Sequence, residues 1–130
     1  MKVLLLTLFV SFGFTQKIQP HLVTSWTNLI APFIEECIVE SKADPTQAKN
    51  IFQTLPVDVT KNFECYFKCL FEKVNFTLSN GEFDLKEDYE IIPNIEKPLL
   101  KQCIDDHIQD SDICHRSYSV ATCIMKMGTE

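Results

Sequence analysis

Apolar residues recur at helical spacing along most of the chain, and most densely from Phe63 to Val74. At about 100° per residue, Phe63, Phe67 and Phe71 form one stripe at i, i+4 and i+8. The residues that stay polar make up one narrow band: Glu64, Lys68 and Glu72. A helix that is apolar on most of its circumference is buried on most sides, so we expect this helix at the centre of the fold.

The same periodicity, with caps and prolines as boundaries, predicts an all-α domain of about six short helices. The predicted helices cover residues 25–41, 45–55, 59–74, 85–92, 98–107 and 113–126. Residues 16–24 are predicted to be a lead-in to the first helix. Pro32 falls inside that helix and is expected to bend it or to delay its regular part.

The first 15 residues have the pattern of a secretory signal peptide. Lys2 precedes an apolar run at residues 3–10, and that run is too short to cross a bilayer as a helix. We therefore expect cleavage near Thr15, a mature domain of residues 16–130 and a secreted, extracellular protein. The alternative interpretation is a buried N-terminal helix.

Loss of residues 1–15 leaves 115 of the 130 residues, enough for one domain with a modest core. Because Lys2 is lost with them, 11 basic side chains stand against 18 acidic ones, a net charge of −7. An acidic surface argues against nucleic acid and anionic membranes as partners. No other apolar run is long enough for a span, so no stable membrane insertion is predicted.

Six cysteines in an exported chain of this size predict three disulfides. Cys65 and Cys69 lie one helical turn apart and cannot pair with each other in a regular helix. Cys114 and Cys123 are about 13.5 Å apart along one helix and cannot pair either. These exclusions leave ten of the 15 pairings open. Because Cys65 and Cys69 share a face, they must tie two different segments to the same side of the central helix.

A zinc site is the competing interpretation of the cysteines. The candidate ligands form three close pairs: Cys65 and Cys69, Cys103 and His107, Cys114 and His115. Paired CxxC knuckles are absent and the export signal favours oxidation, so no metal or other cofactor is predicted. The chain has neither an activated serine motif nor a glycine-rich phosphate loop, and we predict that it is not an enzyme.

The cysteine spacing resembles the six-cysteine signature of the insect odorant-binding proteins, the family of pheromone-binding and general odorant-binding proteins. The spacing is Cys37-x27-Cys65-x3-Cys69-x33-Cys103-x10-Cys114-x8-Cys123. The segment CYFKCLFEK and the turn Asn80-Gly81-Glu82-Phe83 resemble that family too. The resemblance covers essentially the whole mature chain. The gap after Cys69 is at the short end of the family pattern, so the fourth helix is expected to be abbreviated.

The resemblance implies short helices around an apolar cavity, braced by three interlocked disulfides. The family connectivity gives Cys37–Cys69, Cys65–Cys114 and Cys103–Cys123. The implied function is that of a secreted carrier that binds small hydrophobic ligands, such as odorants, pheromones or similar lipids, and releases them reversibly. A chemoreceptor would be an indirect partner, and the protein would be a monomer or weak homodimer.

Two other functions compete with that of a carrier. The first is a secreted interaction protein of venom, saliva or seminal fluid that keeps the scaffold and acts on a protein partner. The second is a disulfide-rich hydrolase. A fluorescent apolar probe separates the first from a carrier, and a turnover assay on esters separates the second.

The ligand-contacting residues are predicted from the resemblance and from helical facing. Phe67 and Phe71 match wall positions of the family, two before and two after the third cysteine. At or near other family wall positions are Ile30, Phe76 and Leu100, and helical facing alone suggests Phe33, Phe52, Tyr118 and Ile124. The simpler interpretation of the phenylalanine stripe is ordinary core. Alanine at Phe67 or Phe71 is expected to weaken apolar binding and to leave the fold and its disulfides intact.

Asn75-Phe76-Thr77 is an acceptor pattern for N-glycosylation in an exported chain. Such short patterns often arise by chance, and this one lies at the exit of the central helix, close to the core. Glycosylation of Asn75 would also compete with a pocket role for Phe76.

The tail after Cys123 reads IMKMGTE. Long-tailed relatives fold their C-terminus into the pocket, and seven residues are too few for that. We expect the tail at most to cover an opening, with Met125 and Met127 as flexible apolar contacts.

Overall fold

A computed structural model describes residues 17–84 and 92–129. The elements are α1 (Pro20–Ile30), a 3-10 segment (Ala31–Phe33), α2 (Ile34–Ser41), α3 (Pro45–Lys49), α4 (Lys61–Lys73), α5 (Lys97–His107) and α6 (Ile113–Met127). These residues contain no β-strand, only two isolated bridges, so the all-α prediction is confirmed. The predicted signal peptide at 1–15 lies outside the described residues, and so does the predicted helix 85–92 except for Ile92.

The first predicted helix starts earlier than expected and is interrupted. α1 begins at Pro20, inside the predicted lead-in, because proline suits the first turn, where its missing N–H leaves no bond unmade. Pro32 then prevents the α-helical hydrogen bonds from continuing, and the backbone makes a 3-10 turn before α2. The single predicted helix is therefore two helices joined by a corner.

The second predicted helix is shorter than expected, since α3 ends at Lys49. The side-chain amide of Asn50 donates to the Thr46 carbonyl (2.7 Å), and the backbone N–H of Asn50 donates instead to the Gln47 carbonyl (3.2 Å). Asparagine often offers the backbone such local bonds in place of a continued helix. The chain turns instead, and the turn buries Ile51.

α4 is the centre of the domain and contacts α6, α2 and α3. Thr60 caps it, with Oγ1 accepting from the N–H of Phe63 (3.1 Å), so the helix begins two residues later than predicted. In the predicted polar band, Lys68 pairs with Glu72 one turn on. The buried residues of α4 are Phe63, Glu64, Tyr66, Phe67, Cys69, Leu70 and Phe71. Burial around most of the helix is what the broad apolar stripe predicts.

Three disulfides brace the helices. The bonds are Cys37–Cys69 between α2 and α4, Cys65–Cys114 between α4 and α6, and Cys103–Cys123 between α5 and α6. These are the pairs that the family resemblance implies, and no described cysteine is left as a free thiol. α4 and α6 each carry two bridges, so four helices are linked in one covalent series.

A turn after α4 rests on α6. Thr77 and Phe83 form an isolated bridge, and Gly81 makes the turn with φ of 86°. Arg116 lies buried beneath this turn and donates from its guanidinium to the Gly81 carbonyl (2.7 Å). The same guanidinium lies 5.6 Å from the centre of the Phe83 ring. The Glu82 carboxylate of the turn lies 3.9 Å from the guanidinium. The buried cation is therefore held by a carbonyl, an aromatic face and a carboxylate, and it fixes the turn to α6.

Candidate functional site

An apolar cavity lies between α1, α4, α6 and the turn that follows α3. The volume of this cavity is about 60 Å³. Its lining residues are Trp26, Leu29, Ile30, Ile51, Phe52, Phe67, Leu70, Phe71, Val74, Ile92, Ala121, Ile124 and Met125. None of these side chains is ionisable, and a cavity without polar partners does not hold water well. The site is therefore suited to an apolar guest.

Phe67 and Phe71 lie one turn apart on α4 and both line the cavity. The Phe67 ring centre is 5.2 Å from that of Phe63 and 5.4 Å from that of Tyr118, both edge to face. The Phe71 ring centre is 4.9 Å from that of Phe76, also edge to face. These contacts favour one orientation of each ring. The phenylalanine stripe is thus core and cavity wall at once.

Five of the nine predicted ligand contacts line this cavity: Ile30, Phe52, Phe67, Phe71 and Ile124. Phe33, by contrast, lies half-buried in the 3-10 segment, and Leu100 is fully buried on α5. Phe76 is buried against Phe83, with ring centres 5.2 Å apart. Tyr118 is half-buried beside Phe67. The role of all nine in ligand binding stays a prediction.

The other eight lining residues are not among the nine, although Met125 was expected to cover an opening as part of the tail. On α1, Trp26 and Leu29 share the helical spacing of Ile30, so the facing of that helix could have found them. Ile51 and Ile92 come from turns, where no periodic signal exists. Ile92 is held near the cavity because the Trp26 indole N–H donates to the carbonyl of the next residue, Pro93 (2.9 Å).

Two tyrosines lie near the cavity without lining it. The hydroxyl of Tyr66 donates to the Ala48 carbonyl (3.1 Å) and so ties α4 to α3. Burial, and then the charge of Glu35, raise the pKa of Tyr66 to about 12. Burial, and then Glu64, also raise the pKa of Tyr118. Both phenols stay neutral at physiological pH and add no charge beside the cavity.

A cluster of charges joins the start of α4 to the start of α6. The mostly buried Glu64 lies 3.1 Å from the Lys61 ammonium and 3.8 Å from Nε2 of His115. Lys61 also pairs with Asp112, and Nδ1 of His115 pairs with Asp110. The hydrogen bond to Asp110 is the main cause that raises the pKa of His115, with burial opposing it. The cluster therefore stabilises the protonated imidazole.

We expect the stability of the protein to fall as pH rises through the raised pKa of His115. The pKa of His115 in the folded protein lies above its ordinary value of 6.5. The stability that protonated His115 contributes is therefore complete below about pH 6.5 and is lost as pH rises above the raised pKa. The thermal unfolding midpoint, followed by circular dichroism from about pH 6 to 9, should decline less in His115→Gln than in the unmodified protein. If the midpoint declined with pH equally in both proteins, His115 would not stabilise the fold in this way. The effect should be small because His115 is exposed.

Asn75 follows the last turn of α4 with φ of 64°, a left-handed conformation in which asparagine is common after helices. Helix termination is therefore sufficient reason for asparagine at this position. The side chain of Asn75 is exposed, whereas Thr77, the third residue of the acceptor pattern, is buried. Glycosylation of Asn75 stays a prediction.

A family model described as the PBP/GOBP family matches residues 21–127 of the 130-residue chain. The match contains all six cysteines and every residue that lines the cavity. Comparisons with curated proteins and with solved structures found no significant match.

Proposed function

The chain belongs to the PBP/GOBP family, and on that basis we propose that it is a secreted carrier that holds a small hydrophobic ligand in its apolar cavity and releases it reversibly. Members of this family are binding proteins for odorants and pheromones rather than enzymes. The observation that carries the proposal is the cavity between α1, α4 and α6, whose lining is apolar throughout.

Binding requires the cavity to widen. The cavity volume of about 60 Å³ is below the roughly 300–1,000 Å³ of common ligand pockets, so a ligand can enter only if side chains of the lining move. Met125 is unbranched and flexible, and Phe52 is only half-buried. The disulfides keep the helices together while these side chains move. A ligand that buries about 300 Å² of apolar surface would gain roughly 7 kcal/mol before ordering costs, so the Kd from this burial alone would be about 10 µM or weaker, and release would be reversible.

Secretion is supported by two features. Three disulfides are typical of oxidising compartments, and family members are secreted. No helix in residues 17–84 or 92–129 is long and apolar enough to cross a membrane.

The test is binding of a fluorescent apolar probe, N-phenyl-1-naphthylamine, to the oxidised protein, followed by displacement with volatile apolar compounds. A carrier should give saturable binding and displacement by at least one such compound. Failure of the folded, oxidised protein to bind the probe would contradict the proposal. Binding without displacement by any volatile or lipid would favour an interaction protein, and turnover of an ester would favour a hydrolase.

Filling the cavity should remove its function while keeping the fold. Ala121 lines the cavity from α6, so Ala121→Leu places extra methyl groups where the ligand would lie. Overpacking typically costs about 1–3 kcal/mol, and we expect probe affinity to fall by about tenfold or more. Ala31→Leu adds the same groups at an exposed position outside the cavity and is the matched control. Equal affinities in the two variants would place the ligand elsewhere.

A further inference from the structure

A second, larger space opens beside the cavity. This groove of about 770 Å³ lies between residues 17–24, residues 51–55 and the end of α6. Three residues, Ile51, Phe52 and Met125, line both the groove and the cavity. The two spaces therefore meet at a wall of apolar side chains, one of which is a flexible methionine.

One side of the groove is fixed by contacts between the two ends of the domain. Ile18 and Thr129 form an antiparallel bridge, and the N–H of Gln19 donates to the Gly128 carbonyl (3.0 Å). A Cβ atom at Gly128 would lie 2.7 Å from the Trp26 ring, so only glycine allows this approach. Trp26 also lines the cavity, and the pairing of the two ends is therefore packed directly on the cavity wall.

The charge of the groove is opposite to that of the protein. The chain has 18 acidic and 12 basic side chains, yet the 14 residues that line the groove include two lysines and no acid. Both lysines, Lys17 and Lys126, are exposed, and neither forms an ion pair or side-chain hydrogen bond with any residue in 17–84 or 92–129. Every other described acidic or basic side chain lies outside this lining.

We propose that the ligand of this carrier is a carboxylate amphiphile, with its alkyl tail in the cavity and its carboxylate in the groove beside Lys17 and Lys126. The proposal rests on the proposed carrier function and narrows its ligand class. The tail passes Phe52 and Met125, where the two spaces meet. A fatty acid is ionised at neutral pH and meets both ammonium groups, whereas an alcohol or aldehyde of the same length leaves them without a counter-ion.

The test compares decanoate with decanol, below their aggregation limits, by displacement of N-phenyl-1-naphthylamine. Two exposed charge contacts supply roughly a 3- to 30-fold preference for decanoate at low salt, and added salt should reduce it. Lys17→Gln combined with Lys126→Gln should remove the preference by weakening decanoate alone. The control, Lys49→Gln combined with Lys101→Gln, removes two exposed lysines that pair with Glu35 and Asp105 outside the groove.

The possible outcomes separate this proposal from the carrier function. A decanoate preference that disappears in the groove variant and persists in the control supports the proposal. Equal binding of decanoate and decanol, or equal loss of preference in both double variants, overturns it and leaves the carrier function standing. Failure of both ligands to displace the probe from the oxidised protein overturns it as well. If the probe itself does not bind, both proposals are wrong.

Discussion

Phe67→Ala is expected to lower the free energy of unfolding by about 3–5 kcal/mol, the usual cost of removing a buried phenylalanine. Phe67 is 2% exposed, and its ring contacts Phe63, Tyr66 and Tyr118 as well as the cavity. The variant should still form its disulfides but should bind an apolar probe more weakly, because one wall of the cavity is lost. Denaturant unfolding and probe titration measure the two effects.

Ile104→Ala is the control for this variant. Ile104 is buried on α5 and does not line the cavity, so its loss should cost about 2–5 kcal/mol and leave probe affinity nearly unchanged. If Ile104→Ala weakened binding as much as Phe67→Ala, lost stability alone would explain the result. An unchanged stability in Phe67→Ala would show that its ring is not packed as described.

Replacing Cys37 and Cys69 by alanine should cost about 2–5 kcal/mol of folding stability, since this bridge closes a loop with a sequence separation of 32. The bridge holds α2 against α4, and α2 continues through the 3-10 segment into α1, which carries Trp26 and Ile30. We therefore expect a lower unfolding midpoint and a looser cavity with weaker probe binding. Denaturant unfolding and probe titration of the variant, with the other two bridges oxidised, measure both.

The bridge between α5 and α6 gives the matched comparison. Replacing Cys103 and Cys123 by alanine opens a loop with a sequence separation of only 20, and α5 contributes no residue to the cavity lining. This variant should lose somewhat less stability and keep more of its probe affinity. A larger loss of affinity here than in the Cys37 and Cys69 variant would contradict the assignment of α1 as a cavity wall.

The sequence predicted the helices whose boundaries have local chemical causes. The apolar stripe of α4 and the Asp112 side chain, which caps α6 by accepting from the N–H of His115, both act within about a turn or two, and the structure places α4 and α6 within two residues of their predicted ranges. Pro20 and Pro32 were harder to interpret, because a proline starts one helix and interrupts another. The early end of α3 depends on local bonds of Asn50 that periodicity does not detect.

The cavity was less predictable than the helices. Helical facing identifies Phe67 and Phe71 as buried residues. It cannot tell whether a buried side chain lines a cavity or only packs in the core, and these two side chains do both. Ile51 and Ile92 reach the cavity through turns, and the groove depends on pairing between Ile18 and Thr129, at opposite ends of the domain. These contacts join residues far apart in sequence, where no short-range pattern exists.

The central claim is that an apolar ligand enters the space lined by α1, α4 and α6, and Trp26 allows a direct test. It is the only tryptophan in the chain, it is 3% exposed, and it lines the cavity. Titration of the oxidised protein with decanol should give a saturable change in Trp26 emission that is weakened in Ala121→Leu and kept in Ala31→Leu. If calorimetry shows that decanol binds but the emission of Trp26 does not change, the ligand lies outside this cavity and the account is contradicted.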